Sequence, residues 1–443
     1  MPYYISETRP ASDRKFRLRY RKLREYEVTV FDTFEWQLVR SGKVVWTDGK
    51  DRFLFNQETD TGDEYSGRYL FEKLRIPVIE HSFDANGIKG RLYAMGTSYI
   101  IYTEEPQDDF AFHFCAEELK GFGQAVADAA ARCGDPMLSY TTRVQCPAES
   151  DAVLWESMQR VHADLINIIR LNTDGILKGY DAEFLHDFRV SMRRTRSAMS
   201  MLKGVYSDDK EMRFRQFFKS LGEYTGRARD MDVYLEELDG YKDILPDDMK
   251  QSLEPLKSHF RGERDRSYKL LQNFLTSEEY NNSLAEWERL INSRAEIGRR
   301  GFVNTSKAAE KALAKIFGRV ELMTGGVDGE SEDAQIHSVR IAFKKLRYCI
   351  EFFGLFIKEQ NTADVLTRLR SLQDCLGRYN DLSVQCGHMQ ERLNAETDPK
   401  LLTACGYIMA VLAMKKAQER EQAVELIRIF RKGKKRVKKS LGI

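Results

Sequence analysis

The chain has 443 residues and carries 70 lysines and arginines against 68 aspartates and glutamates, a formal net charge of only +2 with 31% of residues charged. Its length accommodates about two to four domains, and 42% hydrophobic with 11% aromatic content excludes a disordered chain. The near-neutral total excludes a uniform basic coat for nucleic acid or anionic membrane but leaves room for a local basic surface, so charge has to be counted region by region.

The amino terminus, MPYYISETRPASDRKFRLRYRK, has no apolar signal core, and no window approaches ~18 uninterrupted apolar residues. The seven cysteines, Cys115, Cys133, Cys146, Cys349, Cys375, Cys386 and Cys405, are scattered without a CxxC pair. They read as reduced thiols of a cytoplasmic protein, with neither a disulfide framework nor a zinc knuckle. Up to about residue 140 the pattern is that of strands. Tyr26-Glu-Val-Thr-Val-Phe31, Lys43-Val-Val-Trp46 and Arg52-Phe-Leu-Phe55 follow one another across Ser41-Gly42 and Asp48-Gly49 turn signals. Gly90–Ala94, Ser98–Tyr102 and Phe110–Cys115 are further strand candidates, and a short helix is expected over Phe122–Arg132.

From about Glu149 onward the only prolines are Pro246, Pro255 and Pro399. Apolar residues now recur at three- and four-residue spacing, as in Val153, Leu154, Met158, Val161, Leu165, Ile168 and Ile169, a single helical stripe. Helix breaks are expected at Gly179-Tyr180, Ser207–Asp209, Leu245-Pro246, Gly325-Gly326, Gln360-Asn361 and Asp398-Pro399. Residues 1–150 carry 20 basic and 24 acidic side chains and the remainder 50 and 44, so the positive excess belongs to the helical part.

That part repeats itself at an offset of 151 residues. Leu185-His-Asp-Phe-Arg-Val-Ser-Met-Arg-Arg-Thr-Arg196 pairs with Ile336-His-Ser-Val-Arg-Ile-Ala-Phe-Lys-Lys-Leu-Arg347, and Ser220–Asp230 pairs with Ser371–Asp381 in the same register. Two blocks in one register imply a duplicated bundle of four or five helices per copy, related by a pseudo-two-fold. On a helical wheel His186, Arg189, Arg193 and Arg196 fall within roughly an 80° arc. Beside it lies an apolar arc of Leu185, Phe188, Met192, Met199 and Leu202. His337, Arg340, Lys344 and Arg347 repeat the strip, with Arg194 and Lys345 just off it. Such a strip, read as lacking acidic i,i+4 partners, repels itself and calls for an anion.

The motifs HDFRVSMRRTRSAMSML and IHSVRIAFKKLRYCIEFF, each followed by LGxxxGRxRD or LxxxxGRxND, resemble the signature of the CHAD family, the conserved histidine α-helical domain, over about residues 150–435. The resemblance implies paired helical bundles whose basic helices line a central groove or pore that binds inorganic polyphosphate. Carried over by position, the implied contacts are His186, Arg189, Arg193, Arg194 and Arg196, then His337, Arg340, Lys344, Lys345 and Arg347. On the later block they are Arg227, Arg229 and Arg378, with Asn380 standing where the first copy has Arg229. Residues 1–145 faintly resemble a CYTH domain, the triphosphate-tunnel barrel, through Val30-Phe-Asp-Thr33, Gln37–Lys43 and Glu117–Gln124, the last resembling its closing helix region. Glu25-Tyr-Glu-Val-Thr29 stands as ExExT where a metal-holding ExExK strand is required.

The fold class expected is therefore α+β, mostly α. A degenerate CYTH-like β-rich domain (1–145) precedes a CHAD-type helical domain (150–435; repeats about 150–295 and 300–435), and a basic tail (431–443) follows it. The function expected is non-enzymatic binding of polyphosphate, with recruitment to polyphosphate granules, no cofactor, no metal and no membrane partner. A metal-dependent triphosphatase in the CYTH-like part is the enzymatic alternative. Nucleic-acid binding is disfavoured because the strips lack interleaved aromatics for stacking. The two histidines admit three readings, as phosphate donors, metal ligands or packed core residues, and their basic neighbours disfavour metal. The strips themselves could be solvated helix faces, a reading that their duplication in register disfavours. Asp230 and Asp381 read as ion-paired positioners rather than acid–base groups.

Overall fold

The computed structural model describes residues 3–6, 10–12, 17–32, 34–41, 43–47, 52–56, 71–86, 88–95, 98–103, 117–119, 126, 130–131, 135–146, 152–356, 362–395 and 397–443. They divide into two compact units, Met1–Thr141 and Thr142–Ile443.

Among the described residues of the first unit eight strands form one antiparallel sheet: β1 (Tyr3–Ser6), β2 (Leu18–Asp32), β3 (Lys43–Thr47), β4 (Arg52–Asn56), β5 (Phe71–Ala85), β6 (Ile88–Met95), β7 (Ser98–Thr103) and β8 (Glu117–Leu119), in the order β4-β3-β2-β5-β6-β7-β1-β8. Alternation sends Val28, Val30 and Asp32 of β2 and Ile76 and Val78 of β5 inward, against Trp36, Val44, Met95, Ile100 and Val126. The buried Asp32 carboxylate accepts the backbone N–H groups of Leu38 and Val39 at 2.9 and 2.8 Å, holding the single helical turn α1 (Gln37–Arg40). Glu25 and Glu27 stand on the opposite, exposed side of β2, where Lys22 (2.6 Å) and Arg75 (3.5 Å) pair with them.

The strands expected at 26–31, 43–46, 52–55, 90–94 and 98–102 lie within β2, β3, β4, β6 and β7. The sequence reading passed over β5, because Pro77 and scattered charges break its pattern. Pro77 lies opposite Glu27 in the β2–β5 ladder and one residue beyond the last β5–β6 pair, Val78–Met95, so it interrupts no pair with β6. Residues 117–119, expected to open a closing helix region, instead pair with β1 as strand β8. Residues 110–115 and 120–124 lie outside the described residues; of the expected 122–132 helix, Val126, Ala130 and Ala131 are described and helical.

The described elements of the second unit are helices: α2 (Leu154–Lys178), α3 (Ala182–Met201), α4 (Asp208–Ile244), α5 (Glu254–Leu275), α6 (Glu278–Asn292), α7 (Thr305–Thr324), α8 (Asp333–Phe353), α9 (Thr362–Ala395) and α10 (Pro399–Ser440). Displaced by the repeat offset, the starts of α2 and α3 coincide with those of α7 and α8, and the end of α4 with that of α9. Where the first copy breaks between α5 and α6 at Thr276-Ser277, the second runs on as the single helix α10. The basic run Arg431–Lys439, expected as a tail, is therefore the last turns of α10, with Lys434 paired to Glu321 at 3.1 Å.

The two-fold can be seen in individual bonds. Val153 and Asn304, equivalent positions, face each other in an antiparallel bridge, flanked by the equivalent bonds Leu154 N–H to Val303 O (2.8 Å) and Thr305 N–H to Ala152 O (3.0 Å). Tyr234 Oη meets His388 Nε2 at 2.6 Å, and Gln385 Nε2 donates to Glu237 Oε1 at 2.5 Å. The second pair occupies the positions of the first with the copies exchanged, which is the signature of an isologous interface.

Candidate functional site

Helix α3 begins at Asp181, whose carboxylate accepts the Glu183 N–H at 2.9 Å. It buries Leu185, Phe188, Met192, Ala198 and Met199. Gly175 of α2 lets Phe184 close against it, since a Cβ there would stand 2.1 Å from the ring. On α4, Gly222 and Gly226 leave room for the guanidinium groups of Arg196 and Arg189, and Arg189 Nη1 donates to Thr225 Oγ1 (2.9 Å) and Gly222 O (3.3 Å). Small residues on one helix thus let long cations of the next lie along its backbone.

The electrostatics show which predicted residues come together. His186 is half-buried, and burial together with Arg229, Arg193 and Arg189 pushes its pKa down to about 4, so the imidazole is neutral at neutral pH. Burial, and then Arg193 among the nearby cations, lowers Arg189. Lys344 of α8 is held down at about 8 by burial, then by Arg193, Arg340 and Arg347. Arg193 belongs to the first copy and Lys344 to the second, so the two strips converge on one another across the two-fold. Among the described residues Arg193 Nε is buried with no hydrogen-bond partner, which is costly for a charged donor unless something else supplies an acceptor.

Other predicted residues are arranged differently. Arg194 is 3% exposed, pairs with Glu351 of α8 at 2.7 Å and lies over the rings of Tyr348 and Phe352, a crosslink between the copies. Arg347 Nε also pairs with Glu351, at 2.7 Å, and its Nη1 donates to Gln373 Oε1 at 3.2 Å. Glu351 is an i,i+4 acid on the strip, which corrects the expectation that the strips have none. Arg227 and Arg378, equivalent and exposed, pair with Glu263 of α5 and Glu419 of α10 at 2.6 and 2.7 Å. Arg229 is half-buried beside His186. His337 is exposed, its Nδ1 2.6 Å from Asn380 Oδ1, so the amide replacing Arg229's counterpart binds the second histidine directly. Arg340 stands 3.9 Å from Asp381. Lys345 and Arg196 are exposed.

Asp230 is not in a direct ion pair among the described residues; burial raises its pKa, against Arg189, His388 and Arg229. Glu183, His186 and Asp187 place one ligand atom each within 4.8 Å of one another. The three arginines around His186 oppose a cation there. Sequence reasoning missed Glu351, whose four-residue spacing from Arg347 was the available signal, and Gly222 and Gly226, whose role depends on the neighbouring helix.

The model of the CHAD domain matches residues 160–390. The crystal structure of the CHAD domain from the plant Ricinus communis is similar with a TM-score of 0.52 at 23% identity, covering 64% of this chain and 96% of that one. PptA from Streptomyces chartreusis is similar at 15% identity with a TM-score of 0.47, covering 61% of this chain and 95% of that one. No curated protein matches. With the family model spanning more than half of the sequence, and its two motifs on the facing helices α3 and α8, the chain belongs to the CHAD domain family.

Proposed function

We propose that the helical unit binds inorganic polyphosphate along the facing strips of α3 and α8, and that this recruits the protein to polyphosphate granules. The observation that carries the reading is the convergence of Arg189, Arg193, Arg340 and Lys344 across the two-fold, where Arg193 lies close enough to act on both Arg189 and Lys344, and Arg340 on Lys344. Polyphosphate repeats one charge per phosphate and has no base to recognise. Cations on rigid helices therefore suit it: arginine forks hold pairs of non-bridging oxygens and lysine adds a mobile charge. An acceptor oxygen also meets the need of the buried Arg193 Nε. The reading assigns these residues to binding and none to a catalytic step.

Replacing Arg189, Arg193, Arg340 and Lys344 together with alanine abolishes retention of long-chain polyphosphate at moderate salt while the helical circular dichroism is kept. In a salt titration the quadruple variant loses about 3 from the slope of log affinity against log salt. Undiminished retention by a folded quadruple variant contradicts the proposal.

A further inference from the structure

The two strips are related by symmetry, but their outer ends are not alike. Arg196 and Arg347 occupy equivalent positions. Arg347 is neutralised by Glu351 and tethered by Gln373. At the equivalent positions of the first copy stand Ser200 and Gly222, so Arg196 has neither the carboxylate nor the amide. Arg196 is exposed, its Nη1 3.3 Å from where a Gly222 Cβ would stand, and among the described residues no acid pairs with it.

In front of Arg196 opens a recess of about 720 Å3 lined by Arg196, Ser200, Lys203, Arg215 and Lys219, together with Asp208 and Glu211. Glu211 is already committed: it accepts the backbone N–H groups of Gly204 (2.6 Å) and Val205 (3.1 Å) and pairs with Arg215 at 3.3 Å. Arg215 in turn donates to Met199 O at 2.6 Å. Lys203 is exposed, and Lys219 stands 4.0 Å from an exposed Glu223. Arg196, Lys203 and Lys219 are thus the cations that remain available, and Arg196 joins them to the site, because it and Arg189 both lie against Gly222. The second copy has Gly354 where the first has Lys203 and Leu366 where it has Arg215; only Arg370 matches, at the position of Lys219.

We infer that a phosphate chain held between the strips leaves over the first repeat, along Arg196, Lys203 and Lys219, so that a pseudo-symmetric site binds its ligand in one direction and gains affinity with chain length on that side alone. This rests on the polyphosphate reading and adds Lys203 and Lys219 as determinants of chain length. An exit over the second repeat is disfavoured because Glu351 presents a carboxylate already holding two arginines, and a phosphate there would compete with it.

The test titrates the full chain, the double variant Lys203→Glu/Lys219→Glu and the mirror variant Arg370→Glu with tripolyphosphate and with long polyphosphate, at several salt concentrations. The double reversal weakens long-chain binding by about tenfold or more and lowers its salt slope by about 1.5, leaving tripolyphosphate unchanged. Arg370→Glu changes neither. Lys203→Ala/Lys219→Ala, with a smaller loss in the same direction, separates the lost contacts from introduced repulsion. Long-chain affinity untouched by the double reversal, or an equal loss in Arg370→Glu, overturns the directional exit while leaving the polyphosphate reading standing. If the unmodified chain binds neither ligand, both fall together.

Discussion

Lys344 and His186 show how a side chain's protonation reports what it faces. With its pKa pushed down to about 8, Lys344 binds fewer protons in the folded chain than in the unfolded one between about 8 and its ordinary 10.5. Its contribution to stability is therefore fully adverse below about 8 and is relieved as pH rises through that window. A bound polyanion reverses the balance by favouring the ammonium. Affinity accordingly falls as pH rises above about 8, and binding at pH 8 to 9 takes up protons, seen as a buffer-dependent enthalpy in titration calorimetry. Lys344→Arg, charged throughout, removes the uptake; undiminished uptake in that variant contradicts the assignment. His186, pushed down to about 4, acts in the same direction at lower pH: without ligand, stability is lost as pH falls from 6.5 towards 4. The cation arc was legible from helical spacing alone. The fate of Arg194 was not, because a wheel places it beside the strip without showing that the neighbouring surface is Glu351, Tyr348 and Phe352 of the other copy.

Among the elements, α3 depends on how closely α2 and α4 let it approach. Gly175→Ala drives a methyl into the Phe184 ring, and we expect a loss of about 1–3 kcal/mol in chemical denaturation. A loss near zero would mean that α3 is free to shift and that the strip is not rigidly aimed. The helical elements were legible because two independent signals agreed, apolar period and internal repeat, and the expected breaks at 179–180, 207–209 and 398–399 fall at helix ends. The joint at Thr276-Ser277 escaped because neither residue breaks a helix strongly; Ser277 caps α6 by accepting the Tyr280 N–H at 3.2 Å. In the first unit, β5 is a 15-residue strand with Pro77 inside it, and only its pairing partners show that the proline interrupts no pair with β6.

For the whole molecule, a net charge of +2 conceals an acidic stretch of 24 acids to 20 bases in residues 1–150 and a basic remainder. The two-fold then gathers part of that excess onto facing helices while Glu351, Glu263 and Glu419 neutralise other predicted cations. The predicted cations left to meet an anion are Arg189, Arg193, Arg196, Arg229, Arg340, Lys344 and Lys345, and Lys203 and Lys219 join them along the proposed exit. The most direct test is a titration of the full chain with long polyphosphate over a range of salt, with RNA as competitor at equal phosphate concentration. Nine engaged cations predict a log–log slope of about −6 to −8 and displacement by polyphosphate far below the RNA concentration needed. A slope near zero, or equal competition by RNA, would contradict a polyphosphate site built from these strips.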